Sequence, residues 1–192
     1  MIKKAFKHFK LISTHKYYVF KNCWKAKLYW RGIKHDMSKY SPTEFFESVK
    51  YFTGDKSPID NCKAVNGWSK AWMHHKGRNT HHYEYWQDNF DKGGVPLQMP
   101  YEDALEMVCD YIAAGQAYMK DKFTYEGEYE WWLNKKAHGI AMHEKTLQFV
   151  DLMLRVMKRD GDNGVLAPTR AKVLWETVER GSYEILIHRW SL

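Results

Sequence analysis

The sequence predicts an all-α fold organised as a single domain. Apolar residues recur at three- and four-residue spacing over long stretches, which is the period of a helix face and not of a strand. Helix-start chemistry precedes several of these stretches, as in Ser41-Pro42 and at Pro100 and Pro168. Strand-like alternation is weak, and its best instance is the ending "SYEILIHRW".

The chain has 192 residues, 44% of them hydrophobic and 16% aromatic, enough to close a core and too apolar for a disordered chain. Nine Trp and thirteen Tyr point to a heavily aromatic core or pocket. No repeat, low-complexity run or long linker divides the chain, so residues 1–192 are expected to form one helical domain. The motif core falls at about 11–160, with a C-terminal helix and tail over 161–192.

Residues 11–31 form the first expected helix, with Leu11, His15, Tyr18, Asn22, Ala26 and Tyr29 on its inward stripe and Gly32 as the stop. "SPTEFFESVKYF" opens the next, where Ser41 is the N-cap, Pro42 the first helical residue and Glu44 the return partner of a capping box. A third follows Asn66-Gly67, with Trp68, Trp72 and His75 at i, i+4 and i+7. "DKGGVPLQMP" reads as a loop before a helix over about 101–121. Residues 137–158 place Ile140, His143, Leu147, Val150, Leu154 and Met157 on one face, "KRDGDNG" is a turn, and Pro168 to about Glu179 is a further helix. The ending is expected to be a short strand or an extended tail.

Charge is unevenly placed. Residues 1–34 hold ten Lys/Arg and no Asp or Glu, so the formal +7 arises from the first sixth of the chain. Such a block favours a phosphate-bearing partner, whether nucleotide, nucleic acid or an anionic membrane surface, or else forms a solvated helix face. No apolar run approaches the length of a transmembrane helix, and the N-terminus lacks the h-region of a signal peptide. Three widely spaced cysteines without a CxxC suit a reducing, cytoplasmic setting.

Residues 74–86, "HHKGRNTHHYEYW", hold four of the ten histidines within nine positions. Other potential ligands lie far away in the chain. His15 sits in the inward stripe of its helix, where a lone histidine is more often a satisfied core residue than a ligand. His35-Asp36 follows Gly32, and Asp110 lies on a mostly apolar helical face with Met107 and Ala114 at i−3 and i+4. A carboxylate on such a face is costly unless it is paired or bound to a cation. Two imidazoles and two carboxylates suit a borderline divalent ion such as Mn²⁺, Fe²⁺, Co²⁺, Ni²⁺ or Zn²⁺. Lys39 could neutralise a substrate phosphate or pair with a ligand carboxylate, and Arg78 is a second phosphate candidate. His143 reads as a core histidine more readily than as a site residue. Glu84 could orient His81 or His82 or serve as an N-terminal helix charge.

The order His15, His35-Asp36, Asp110 in a helical chain resembles the HD-domain superfamily of metal-dependent phosphohydrolases, and "HDMSK" resembles its HDxGK and HDxSK variants. His75 followed by "HHYE" at 81–84 resembles the ligand order of the HD-GYP branch. The GYP tripeptide is absent, and the spacing from His75 to the His81-His82 pair is short. The pattern "HDMSKYSPTEF…HHKGRNTHHYEYW…CDYIAAG", which spans 15–118, is most similar to a small, uncharacterised family of bacteria and their phages with an HDxSK…NxHHxEYW signature.

The resemblance implies an HD-type helical bundle holding one and more often two transition-metal ions. Its ligands would be His15, His35, Asp36, His75, His81 or His82, and Asp110, with Asp36 bridging; His74, about 100° round the helix from His75, is expected to point elsewhere. The implied activity is hydrolysis of a nucleotide or other small phosphoester, with Asp36 and Lys39 catalytic and Lys39 and Arg78 binding phosphate. HD-type di-iron oxygenases, and a non-enzymatic nucleic-acid-binding protein with a structural metal, are the alternatives. A homo-oligomer is compatible with the sequence.

Overall fold

The computed structural model describes residues 2–190 and is all-α. Ten helices follow in order: α1 Ile2–Lys25, α2 Tyr29–Lys34, α3 Pro42–Tyr51, α4 Pro58–Asn66, α5 Lys70–Lys76, α6 Tyr101–Met119, α7 Tyr125–Ala137, α8 Glu144–Asp160, α9 Pro168–Glu179 and α10 Tyr183–Trp190. The sole sheet among the described residues is a two-residue antiparallel ladder, Gln87–Asp88 against Val95–Pro96, the second strand lying inside the loop expected before α6. No described helix is long and apolar enough to cross a membrane.

Helix α6 is the axis of the molecule. Every residue from Asp103 to Ala113 is buried, because α1 packs on one side of it and α8 on the other. Val19 and Cys23 of α1, Leu105, Val108 and Ile112 of α6, and Phe149, Met153 and Met157 of α8 meet in one core. Helices α7 and α9 cover α8, while α3, α4 and α5 form a smaller layer reached through α1. The three cysteines are buried free thiols.

Several sequence expectations are corrected. The first helix breaks before Gly32. Lys27 takes a left-handed conformation (φ 58°), and the Leu28 amide bonds back to the Cys23 carbonyl. Helix α2 then folds against α1 and Tyr29 turns outward, 40% exposed. Gly32 is therefore not a stop but a close-approach residue inside α2, where an added Cβ would lie 2.8 Å from Cys23 Cβ.

Helix α5 starts at its Ser69 cap and leaves Trp68 outside and exposed. Helices α4 and α7 were not anticipated. In α7 only Glu128, Tyr129 and Trp132 are buried, so its aromatic and charged residues leave no clean apolar stripe to read. Gly139 (φ 82°) delays α8 to Glu144, and His143 becomes its N-cap, its ring accepting from the Lys145 amide rather than lying in the core. The ending is a helix, not a strand: Tyr183, Leu186 and Ile187 share an i, i+3, i+4 face that packs on the core. The C-terminal segment belongs to the main body, with Ala171, Leu174, Trp175 and Val178 of α9 buried in it.

Candidate metal centre

The His35-Asp36 pair owes its position to the turn after α2. The Lys16 ammonium, from α1, donates to the carbonyls of Ile33 (2.6 Å) and His35 (2.7 Å) and clamps this turn. One member of the basic N-terminal block thus has an internal task. Asp36 adopts a left-handed backbone (φ 55°) and caps a 3₁₀ turn over Met37–Tyr40. That conformation is uncommon outside glycine, though aspartate and asparagine tolerate it.

Asp36 is 2% exposed and lies at the centre of the cluster. Its Oδ2 faces His35 Nε2 at 3.2 Å and His15 Nε2 at 3.6 Å. Asp110 Oδ1 completes this group, 2.9 Å from His15 Nε2 and 3.3 Å from His35 Nε2. The other oxygen, Oδ1, faces His75 Nε2 at 3.2 Å and His81 Nε2 at 3.4 Å. His82 Nε2 lies 2.9 Å from His75 Nε2. Two donor sets result, His15/His35/Asp36/Asp110 and Asp36/His75/His81/His82, and each could hold a metal ion. One carboxylate is common to both.

The contacts are close yet leave polar atoms orphaned. His15 Nε2, His35 Nε2, His81 Nε2 and Asp36 Oδ1 are buried without a hydrogen-bond partner, and Asp36 Oδ2 is met by the Lys39 ammonium. Leaving one such atom unsatisfied costs about 1–3 kcal/mol, so four around one point are a large cost unless a cation satisfies them together. Imidazole nitrogen and carboxylate oxygen are the donors that borderline divalent ions accept. The residues present fit such ions.

A second layer of carboxylates aims the rings. Glu106 Oε1 lies 2.9 Å from His35 Nδ1 and 3.3 Å from His81 Nδ1. Glu44 Oε2 lies 2.8 Å from His75 Nδ1. A Nδ1–H donated outward leaves the Nε2 lone pair directed inward, the usual partnership of ligating imidazoles. Glu106, His35 and His81 also form a third compact acid–imidazole group. They use the nitrogens that face away from Asp36, so Glu106 acts as the outer carboxylate. Arg31 Nη1 holds the other oxygen of Glu106 at 3.0 Å and Asp103 at 2.8 Å, and Thr80 also donates to Asp103.

The electrostatics demand positive charge here. Burial opposes ionisation of His35 and His75, yet Asp36 and the carboxylates around each ring hold both above the usual histidine range. Burial likewise opposes ionisation of Asp36 and Asp110, and the surrounding imidazoles, with Lys39 beside Asp36, hold both carboxyls well below their usual range.

Beside this cluster lies a cavity of about 180 Å³ whose walls include His15, Asp110, Lys39, Glu44, His8 and Tyr118. Lys39 Nζ reaches Asp36 Oδ2 at 2.5 Å and still lines the cavity. Burial pulls its ammonium toward neutrality, but Asp36 and Asp110 outweigh that and raise its pKa. His8, 4% exposed, has an unpartnered Nδ1, and burial with Lys39 nearby lowers it to about 4.

Four site expectations need correction. Arg78 is exposed in the turn after α5, donates to the His74 carbonyl of that helix, and lines a separate crevice behind His35 and His81 with Trp30, Arg31 and Lys34. It does not share a cavity with Lys39. Glu84 bonds neither His81 nor His82: one of its carboxylate oxygens is buried without a partner, and Tyr83 bonds the residue. His74 does not simply point away, for its Nδ1 meets Glu44 Oε1 at 2.6 Å. Glu44 is only half of a capping box. Its amide donates to Ser41 Oγ, but its carboxylate turns to His74 and His75 instead of returning to the cap.

Sequence reasoning missed His8 and Glu106. Both carry a helical-spacing signal, His8 seven residues before His15 and Glu106 four residues before Asp110. Replacing Glu106 with Gln should weaken metal binding about 10–100-fold, with the helical content unchanged. Titration of the variant with Mn²⁺ checks this, and wild-type affinity would show that Glu106 does not orient the ligands.

The chain is an all-α protein with two buried carboxylate–imidazole donor sets around one aspartate that could hold a metal ion. Residues 4–156 match the model of a family described as a family of unknown function, DUF5662, and the chain belongs to that family. No curated protein and no solved structure matches it.

Proposed function

We propose that the protein is a divalent-metal-dependent phosphohydrolase acting on a nucleotide or another small phosphoester. The observation that carries this reading is the pair of donor sets sharing Asp36, set beside a cavity into which Lys39 brings a cation. The resemblance of the His15, His35-Asp36, Asp110 order to the HD-domain superfamily supports it. His15, His35, Asp36 and Asp110 would hold one ion, and His75, His81 and His82 a second together with Asp36. Bound there, such ions supply Lewis acidity: they lower the pKa of water toward neutrality and offset charge on phosphoryl oxygens.

The remaining chemistry falls to the chain itself. Lys39 is the cation that can leave Asp36 for a phosphoryl oxygen, a charge-assisted contact in a partly water-excluded pocket. His8, neutral near pH 7, offers one donor and one acceptor from the cavity wall. Asp36 and Asp110 stay ionised, so each donor set keeps a charged carboxylate.

The test is a phosphoester panel (p-nitrophenyl phosphate, its bis-ester and nucleoside monophosphates) assayed with protein reconstituted with Mn²⁺, Fe²⁺, Co²⁺, Ni²⁺ or Zn²⁺. Turnover with at least one ion is expected. Lys39→Ala should raise KM about 10–100-fold, with metal content unchanged. Oxygen consumption by iron-loaded protein that hydrolyses no phosphoester would replace this reading with an oxygenase. Salt-sensitive nucleic-acid binding without turnover would replace it with a binding protein.

A further inference from the structure

Helix α6 continues past Asp110 and carries the cavity wall with it. Ala114, one turn on, and Tyr118, two turns on, line both the cavity at the cluster and a larger one of about 540 Å³, and Ser57 also borders both. The two spaces adjoin. Tyr111, Tyr118, Phe123 and Trp131 make the second one aromatic, and Glu128 of α7 faces it.

Glu128 is the unusual member. It is 7% exposed and lines this cavity, and among the described residues no side chain or amide hydrogen-bonds or ion-pairs with its carboxyl, whose oxygens border the open space. A carboxyl shielded from bulk water is costly unless a partner meets it. Gly115 accommodates it, since a Cβ there would lie 2.1 Å from Glu128 Oε2. Burial, with Asp110 nearby, raises the Glu128 pKa to about 8. The helix-dipole benefit of an acid in the first turn of α7 is equally available to Glu126 on the surface and does not explain an acid turned inward.

We propose that this second compartment is the specificity subsite for a planar, amino-bearing nucleobase, with Glu128 accepting a hydrogen bond from the exocyclic amino group between aromatic walls. Charged or neutral, a carboxyl group retains an acceptor oxygen for an amino N–H, and aromatic faces stack bases of any sequence. Gly115 is five residues beyond Asp110, about 7.5 Å along the helix, a separation on the scale of the sugar that joins a base to its phosphate. The inference rests on the proposed phosphohydrolase reading for the phosphate end alone, because base binding itself needs no catalysis.

The test compares bases that differ by the amino group. Adenosine and inosine, which lack phosphate, are titrated calorimetrically into the full chain, and AMP/IMP and CMP/UMP are compared as substrates of the reconstituted protein. Above pH 8, where Glu128 is ionised and can only accept, adenosine should bind at least about tenfold more tightly than inosine, the weight of one good hydrogen bond, and the amino-bearing monophosphates should show a KM lower by a similar factor. Glu128→Leu should erase both preferences, leave p-nitrophenyl phosphate turnover unchanged, and raise the melting temperature, since an unpartnered buried acid is removed. Trp131→Ala, at a position 43% exposed, should weaken both nucleosides about 5–100-fold and serves if the leucine variant does not fold.

Equal affinity for adenosine and inosine, or a preference that survives Glu128→Leu, overturns the subsite. Nucleoside preference without hydrolysis of any phosphoester would instead retain the subsite and overturn the phosphohydrolase.

Discussion

Asp36→Asn is expected to abolish phosphoester turnover, by about 10³-fold or more, and to strip the protein of most of its bound metal. The reason is geometric. Each oxygen of Asp36 faces a different donor set, Oδ2 toward His15 and His35 and Oδ1 toward His75 and His81. No other residue is common to the first two sets. Asparagine matches aspartate in volume and tolerates the left-handed backbone at this position, so the fold should persist with helical content intact. It supplies one neutral oxygen where the carboxylate supplied two charged ones.

His75→Ala with His82→Ala should lower metal content by about one equivalent and leave the His15/His35/Asp110 group loaded. His74→Ala should act more weakly, through Glu44 alone. Elemental analysis beside a turnover assay reads all three variants. Near-wild-type turnover by Asp36→Asn would exclude the proposed chemistry.

Chelation should produce the largest change in stability. Ions that bind only the folded chain stabilise it by mass action, about 4 kcal/mol for each ion present at a thousandfold its dissociation constant. For a domain of this size each kcal/mol moves the melting temperature by roughly 2–4 °C. Removing metal with EDTA should therefore lower the melting temperature by about 8–16 °C per ion, and added Mn²⁺ or Fe²⁺ should restore it. The effect should weaken as pH falls, because protonated imidazoles cannot ligate. The four orphaned ring and carboxylate atoms motivate the shift. A melting temperature unmoved by chelator and by every ion tested would mean that the cluster is satisfied without metal.

How much of this was legible in the sequence depended on the range of the interactions concerned. The all-α class was, because helix periodicity repeats within each segment: α6 was expected over about 101–121 and observed over Tyr101–Met119. Ser41 capping α3 was legible for the same reason. Segments whose faces mix aromatic and charged residues were not, as α7 and the helical ending show. The site residues His15, His35, Asp36, His75, His81, His82 and Asp110 could be picked out by residue type and order. Their convergence on the two oxygens of Asp36 could not be read from order alone.

The sequence by itself determined the helical class, the inward placement of His15, and the unusual cost of Asp110 on an apolar face. Each follows from a period of 3.6 residues and from the price of burying charge. Tertiary structure alone decided that Glu44 leaves its cap to hold His74 and His75, that Glu106 rather than Glu84 aims His35 and His81, and that Arg78 faces a different crevice from Lys39. It also decided that Glu128 turns inward over Gly115. Such partnerships join side chains distant in the chain, as in the 71 residues between His35 and Glu106. The direction of a side chain across such a gap is set by how the helices pack, which no local pattern encodes.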